Sequence, residues 1–338
     1  MRTSVFPEGL ESLLQKSSDG QIVLLNRNKL NNDHRQKLSK IIIGGLISLH
    51  GIDTQIGKQT KKVELRENLD PVKTDEQKTY LDFLKVATEP YAKILEAWEE
   101  TFKIRRKEYM HVGLNKIFED FPCLKLNSGI ELIETDFNKK FPQKIDLIYN
   151  TLPKVIEAIN KEVKEKKINV LEGVQCTDDI LHGLLALPYL FAPITLKKSR
   201  KCGTWRPTRS EIVNSLFVYI QNFDEIELIY SRRKKKLEEF DITLQPFVVV
   251  TGEFRNLQYY IIIDNEIRYK LNSCIRALEL VFKLFHSLDV EYPSESEHIW
   301  LFIGEMIFNM CPSKKNSCTA SVVADIKYQL NVSVPSDG

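Results

Sequence analysis

The sequence predicts an α+β protein, in which a mainly helical N-terminal region precedes a helix, a three-stranded antiparallel meander and two packing helices. Three observations support this class. Apolar residues recur every three or four positions through most of the first 200 residues, a period typical of amphipathic helices. Residues 247–250 and 259–263 are rich in β-branched and aromatic residues, which favour strands. The helical period then returns over residues 274–288.

Helices dominate the predicted N-terminal two-thirds. The helical stretches are residues 33–50, 79–111, 130–137 and 145–167, followed by an apolar core run at 181–191. The segment between the first two, residues 51–78, is polar and predicts an exposed connector.

A capping box gives the clearest helix start. Thr208 stands three residues before Glu211, so the hydroxyl can accept from the amide of Glu211 while the carboxylate reaches back. We therefore expect a helix from Arg209 with the apolar set Ile212, Val213, Leu216, Phe217 and Ile220. The same spacing, Ser294 to Glu297, predicts the start of the last packing helix.

Changes in composition divide the chain into five segments. The stretch after the first helical half is basic and contains Gly203 and Pro207, which is typical of a linker. The predicted segments are a helical N-terminal segment (1–65), a helical domain (66–196), a basic linker (197–207), an α+β domain (208–311) and a polar tail (312–338).

Composition restricts the class of function. The chain has 338 residues, and its 48 Lys and Arg against 46 Asp and Glu give a formal net charge of +2. This balance excludes a globally basic nucleic-acid binder, although local patches can still bind. The apolar stretches are too short to span a membrane, and the six cysteines are scattered. We expect an intracellular protein with reduced cysteines and no membrane partner.

Motifs for chemistry are weak. The loop from Gly51 to Gly57 has five residues between its glycines, and Gln59 stands where a P-loop needs a hydroxyl after Lys58. The cysteines and histidines lack the paired spacing of zinc ligands, and no nucleophile motif occurs. The sequence therefore predicts no catalytic residue, no cofactor and no metal, and an enzyme has no positive support.

Two basic clusters are the sharpest local feature. They comprise Lys197, Lys198, Arg200 and Lys201 in the linker, and Arg232, Arg233, Lys234, Lys235 and Lys236 in a run of five. Three interpretations stay open: contact with nucleic acid, a nuclear-import signal, or a solvated helix salt-bridged to the flanking acidic residues. Three tyrosines of the meander, Tyr259, Tyr260 and Tyr269, suit either a base-stacking sheet or a core.

Three stretches together resemble a known family. They are Trp98-x-x-x-Phe102-x-x-Arg105-Arg106 with residues 117–125 and Gly129-x-x-Leu132-Ile133-x-x-Asp136-Phe137, then residues 209–213, then residues 277–288 leading into Tyr292-Pro293-x-Glu295. Over about residues 79–310 the chain resembles a family of animal proteins, expanded in fish and invertebrates, that are labelled as like sterile-alpha-motif-containing proteins. The resemblance implies an intracellular interaction or regulatory protein of mobile-element origin, with no defined activity and no site residue.

Three functions are therefore considered. The first is a non-enzymatic intracellular binding or regulatory protein that acts through protein–protein contacts with a partner of unknown identity. The second is a DNA- or RNA-binding regulatory protein that uses the two basic clusters. The third is a degenerate enzyme derived from a mobile element. We expect a nuclear location, with the cytoplasm as the alternative.

Overall fold

The computed structural model describes six stretches of the chain: residues 74–109, 112–168, 178–197, 203–253, 256–310 and 317–332. Six isolated positions before residue 74 are described as well. The chain forms two compact units, Met1–Val72 and Lys73–Gly338, and the six described stretches belong to the second. The predicted helix over residues 33–50 and the start of the connector lie outside the described residues, apart from isolated positions.

Seven α-helices form the first half of the described chain. They are α1 (Asp75–Leu84), α2 (Tyr91–Glu100), α3 (Phe102–Glu108), α4 (Leu114–Asp120), α5 (Gly129–Lys140), α6 (Leu147–Glu165) and α7 (Asp179–Ala186). The predicted helix over residues 79–111 is therefore three helices. Pro90 precedes α2, and the Thr101 hydroxyl donates to the carbonyl of Ala97, where α2 ends and α3 begins.

The predicted capping box starts α8 (Arg209–Leu216). The Thr208 hydroxyl accepts from the Glu211 amide at 3.2 Å, and the Glu211 carboxylate accepts from the Thr208 amide at 2.8 Å. The predicted length of this helix is wrong, because Phe217 and Ile220 belong to strand β3 (Phe217–Ile220). The run Phe-Val-Tyr-Ile favours a strand, and pairing with a neighbouring strand overrides its helical spacing.

The sheet has four strands in the order β3-β4-β5-β6, with β4 at Phe247–Thr251, β5 at Gln258–Ile262 and β6 at Arg268–Leu271. The predicted antiparallel meander corresponds to β4, β5 and β6. The prediction missed β3, which lies parallel to β4 with Phe217 opposite Val248. The fold is α+β as predicted, but its sheet is mixed and larger by one strand.

The remaining elements complete the described chain. They are the short ribbon of β1 (Leu196–Lys197) and β2 (Thr204–Trp205), and helices α9 (Glu225–Glu238), α10 (Cys274–Ser287), α11 (Glu297–Met306) and α12 (Ser317–Val332). The N-cap residue of α11 is Ser296, not the predicted Ser294. Within the predicted polar tail, α12 buries Val322, Val323 and Ile326.

One hydrophobic core joins the two halves of the described chain. It runs from Leu84 to Ile326, so residues of the predicted segments 66–196 and 208–311 share it. Phe137 of α5 contacts Phe282 of α10 edge to face, with ring centroids 6.4 Å apart. Among the described residues, no helix is long and apolar enough to cross a membrane.

The two faces of the sheet are covered differently. Because side chains alternate along a strand, Val248 and Val250 of β4 enter the large core, while Phe247 and Val249 point to the opposite face. That second face packs against α9, which contributes Ile226 to a smaller cluster. This arrangement places the predicted basic run of residues 232–236 over the outer face of the sheet.

Candidate functional site

Helix α9 presents an inward stripe that contains one arginine. Ile226, Tyr230, Arg233 and Leu237 are spaced by four, three and four residues, so they share one face of the helix. Ile226 and Leu237 are buried, and Tyr230 is partly buried against the sheet. Arg233 therefore lies on the packed side of the helix, in contrast to the other four members of the basic run.

The guanidinium of Arg233 is held between an aromatic ring and a carboxylate. Its Cζ lies 4.3 Å from the ring centroid of Phe247, and its Nη2 donates to Oε1 of Glu295 at 3.3 Å. Only 13% of the Arg233 side chain and 5% of the Glu295 side chain are exposed. Burial lowers the pKa of Arg233 from its ordinary value, while Glu295 opposes that shift.

One donor of Arg233 is left over. Its Nη1 is buried and has no hydrogen-bond partner among the described residues. A buried donor without a partner costs about 1–3 kcal/mol relative to a satisfied one. The site therefore favours any oxygen ligand that reaches this nitrogen.

Lys236 is engaged as well, although it is more exposed. Its Nζ lies 2.7 Å from Oε1 of Glu211 and 5.6 Å from the ring centroid of Trp205. Burial alone would raise the pKa of Glu211, but Lys236 and Thr208 hold it below its ordinary value. Glu211 thus both caps α8 and pairs with α9.

The other three members of the run, Arg232, Lys234 and Lys235, are exposed as well. None of them forms an ion pair with another residue in the part of the chain that the structure describes. Arg232 and Lys235 are three residues apart and so lie on the same face, whereas Lys234 points to another side of the helix. Arg233 and Lys236 do not pair with flanking acidic residues of their own helix, as the third interpretation expected. They pair with carboxylates of other elements, Glu295 and Glu211.

The first basic cluster is described only at its beginning. Lys197 belongs to β1 and pairs with Thr204 of β2, while Lys198, Arg200 and Lys201 lie outside the described residues. Trp205 of β2 stacks on Phe240, just after α9, with ring centroids 5.1 Å apart and an interplanar angle of 16°. The ribbon that carries Lys197 thus packs at the C-terminal end of α9.

A cavity of about 150 Å³ lies where these elements meet. From α9 it is lined by Arg232, Arg233, Lys236 and Leu237. The rest of the lining comes from Trp205, Glu211, Asn214 and Glu295. We call this space the Arg233 cavity. Its wall carries three cationic side chains and two carboxylates, so the formal charge of the wall is +1.

An acidic concavity lies on another side of α9. It has a volume of about 740 Å³, includes Lys234 and Tyr230, and is lined by the carboxylates of Glu119, Glu238, Asp241, Asp289 and Glu291. Five carboxylates and two lysines, Lys116 and Lys234, line this concavity, so its wall is acidic. An anionic ligand is therefore disfavoured beside Lys234.

Residues considered for metal binding lie apart. Cys274 is buried at the start of α10, His286 hydrogen-bonds the Tyr292 hydroxyl at 2.7 Å, and His298 lies against Phe191. Burial lowers the pKa of both histidines to about 4. No group of three candidate ligands comes together within the described ranges. The P-loop-like stretch from Gly51 lies outside them.

Besides Leu237, which follows the basic run, four residues of the cavity were not predicted from the sequence: Trp205, Glu211 in its pairing role, Asn214 and Glu295. They come from distant positions, and their meeting depends on the packing of α8, the ribbon and the segment before α11. The sequence does indicate the inward position of Arg233. Its spacing from Ile226, Tyr230 and Leu237 places it on the same face of the helix as these apolar residues.

Comparison of the chain with protein-family models, with curated proteins and with solved structures found no match.

Proposed function

We propose that the chain is a non-enzymatic binding protein, regulatory in role and intracellular, that recognises an acidic segment of a protein partner. One observation carries the proposal: Arg232 and Lys235 are exposed on one face of α9 with no ion-pair partner among the described residues, and Arg232 also lines the Arg233 cavity. We call this pair and the mouth of the cavity the basic face of α9. Complementary charge gives specificity and speeds association more than it adds affinity.

The small net charge is consistent with a local site. A net charge of +2 gives little long-range attraction for an acidic ligand. Binding must then depend on close contacts, and it should weaken as salt screens exposed charges over about 8 Å at 0.15 M.

A labelled peptide tests the proposal. A fluorescein-labelled peptide of alternating Glu and Ser is titrated against the full chain, and fluorescence anisotropy gives the Kd. We expect Arg232→Ala/Lys235→Ala to raise the Kd by about tenfold or more, equivalent to about 1.4 kcal/mol. The matched control is Lys103→Ala/Lys154→Ala, which removes the same charge from exposed positions on α3 and α6.

The control should change the Kd less than twofold. Equal weakening by the two double variants would show that only total charge matters and would contradict the proposal. So would the absence of binding by the wild-type chain at low salt.

Nucleic-acid binding is the second candidate, and the position of the ribbon favours it. Lys197 opens the first basic cluster, and its ribbon packs beside the helix that carries the second. Filter binding of duplex DNA, single-stranded DNA and RNA at two salt concentrations tests this candidate. Charge reversal by Arg232→Glu/Lys234→Glu/Lys235→Glu should reduce both affinity and salt slope. Unchanged values for this variant would reject the candidate.

Three hypotheses stay predictions. They are nuclear import through the same residues, membership of the family that the chain resembles, and descent from a mobile element as a degenerate enzyme. A fluorescent fusion of the chain distinguishes the locations. If the run acts as an import signal, the same triple charge reversal should move the fusion from the nucleus to the cytoplasm.

A further inference from the structure

We propose that the Arg233 cavity binds one carboxylate of the acidic segment, as an oxyanion socket that anchors the partner beside Arg232 and Lys235. The proposal rests on the proposed function and adds the position, the chemistry and the charge of the anchoring group.

The unsatisfied donor defines what the socket takes. Two contacts hold the guanidinium of Arg233 in place: Glu295 accepts from its Nη2, and the ring of Phe247 lies next to its Cζ. A carboxylate oxygen that enters the cavity satisfies this donor through a charge-assisted hydrogen bond, which is stronger than a neutral one. Because Nη1 has almost no accessible surface, a side chain of the cavity wall must shift before the oxygen reaches this donor.

Neighbouring groups suit a carboxylate. Asn214 lines the cavity and offers an amide that can donate to the second oxygen, and exposed Arg232 stands at the same wall. The indole of Trp205 forms an apolar wall, on which the methylene groups of a glutamate side chain can pack. A cavity of about 150 Å³ accommodates a carboxylate and its methylenes but no large ring system.

Charge favours a monoanion. The two carboxylates of the wall, Glu211 and Glu295, are already paired with Lys236 and Arg233. The wall therefore carries a net charge of +1, which one carboxylate neutralises, whereas a phosphate dianion leaves an excess negative charge beside two acidic side chains. The socket therefore favours a carboxylate over a phosphate.

Side-chain NMR tests the socket directly. The chain is labelled with ¹⁵N-arginine, and the Nε–H signal of Arg233 is assigned by its loss in Arg233→Lys. Sodium acetate, sodium chloride and sodium phosphate are titrated at constant ionic strength. We expect a saturating shift of this signal with acetate, and a small linear change with chloride and phosphate. Equal behaviour of acetate and chloride, or saturation by phosphate alone, would overturn the proposal.

A variant separates the socket from the rest of the basic face. Asn214→Leu fills the cavity with an apolar side chain and leaves the Arg233–Glu295 pair and all charges intact, and circular dichroism verifies its fold. It should abolish the acetate shift and raise the Kd of the Glu-containing peptide about fivefold. Asn150→Leu, a change of the same type at an exposed position of α6, is the matched control and should alter neither.

The outcomes distinguish the two proposals. If Arg232→Ala/Lys235→Ala weakens the peptide but Asn214→Leu does not, the binding function stands and the socket is wrong. If acetate saturates the Arg233 signal while no acidic peptide binds, the proposed function fails and the cavity binds only small carboxylates.

Discussion

Two arginines of this molecule lie against aromatic rings and pair with carboxylates, but their surroundings differ. Arg105 of α3 places its Cζ 3.3 Å from the ring centroid of Trp98 and binds Asp136 with two nitrogens, at 2.8 and 2.9 Å. Its Nε donates to the Thr101 hydroxyl, and Nη2 also donates to the Trp98 carbonyl. Arg233 makes a single contact with its carboxylate, at 3.3 Å, and keeps one nitrogen without a partner.

The difference separates a structural arginine from one that is available for binding. A bidentate pair with additional carbonyl and hydroxyl acceptors uses the donors of Arg105 within the fold. Arg233 lines a cavity and keeps one donor without a partner, so this donor can bind a ligand once a side chain of the wall shifts. The same residue type therefore stabilises the core in one place and defines a candidate site in the other.

Loss of Arg105 should have the largest effect. Arg105→Met leaves Asp136 buried without its cation, and breaking a buried ion pair in this way costs about 3–5 kcal/mol of folding free energy. Urea denaturation measures the change. The exposed neighbour supplies the control, since Arg106→Met should change stability by less than about 0.5 kcal/mol. A comparable loss in both variants would show that the pair has no special role.

Acid should destabilise both regions through their neutral histidines. His286 packs against Phe137, next to Asp136, and His298 follows Glu295 by three residues. Burial lowers the pKa of each to about 4, whereas an unfolded histidine titrates near 6.5. The stability that the two neutral histidines contribute is fully present above pH 6.5 and is lost as the pH falls towards 4. Over this range the unfolded chain binds protons and the folded chain does not, so protonation favours unfolding.

Each histidine accounts for a loss of up to about 3 kcal/mol over that range. Urea denaturation at pH 7, 5.5 and 4.5 measures it. His286→Gln and His298→Gln should each flatten the pH dependence by a similar amount, and a profile that neither change alters would rule out the assignment. Unequal flattening would show which region is the more sensitive to acid.

Loss of Arg233 should cost less than loss of Arg105. Arg233→Met leaves Glu295 buried, but the pair is longer than that of Arg105 and makes a single contact, so we expect about 1–3 kcal/mol. Arg233→Lys keeps the charge and should recover part of the loss in the same denaturation experiment. A loss as large as that of Arg105→Met would remove the distinction between the two arginines.

Features of the fold and the site that depend on local sequence could be predicted, whereas features that depend on long-range packing could not. The capping box at Thr208 and Glu211 is a local interaction, and the structure confirms it. Strand β3 was missed because Phe217 and Ile220 continue the apolar spacing of α8, and their pairing with β4 is a long-range effect. Arg233 could be placed on the inward face from spacing alone, but Asn214 and Glu295 reach the cavity through tertiary packing.

The parallel pairing of β3 with β4 has a consequence for the rate of amide hydrogen exchange in β3. The two strands are neighbours in the sheet, yet Ile220 and Phe247 are separated along the chain by the segment that contains α9. This segment crosses over the sheet to bring β4 beside β3, so opening of the segment should also open the hydrogen-bond ladder between the two strands. A ligand that holds α9 in place should therefore slow amide hydrogen exchange at β3, at positions that the ligand does not touch.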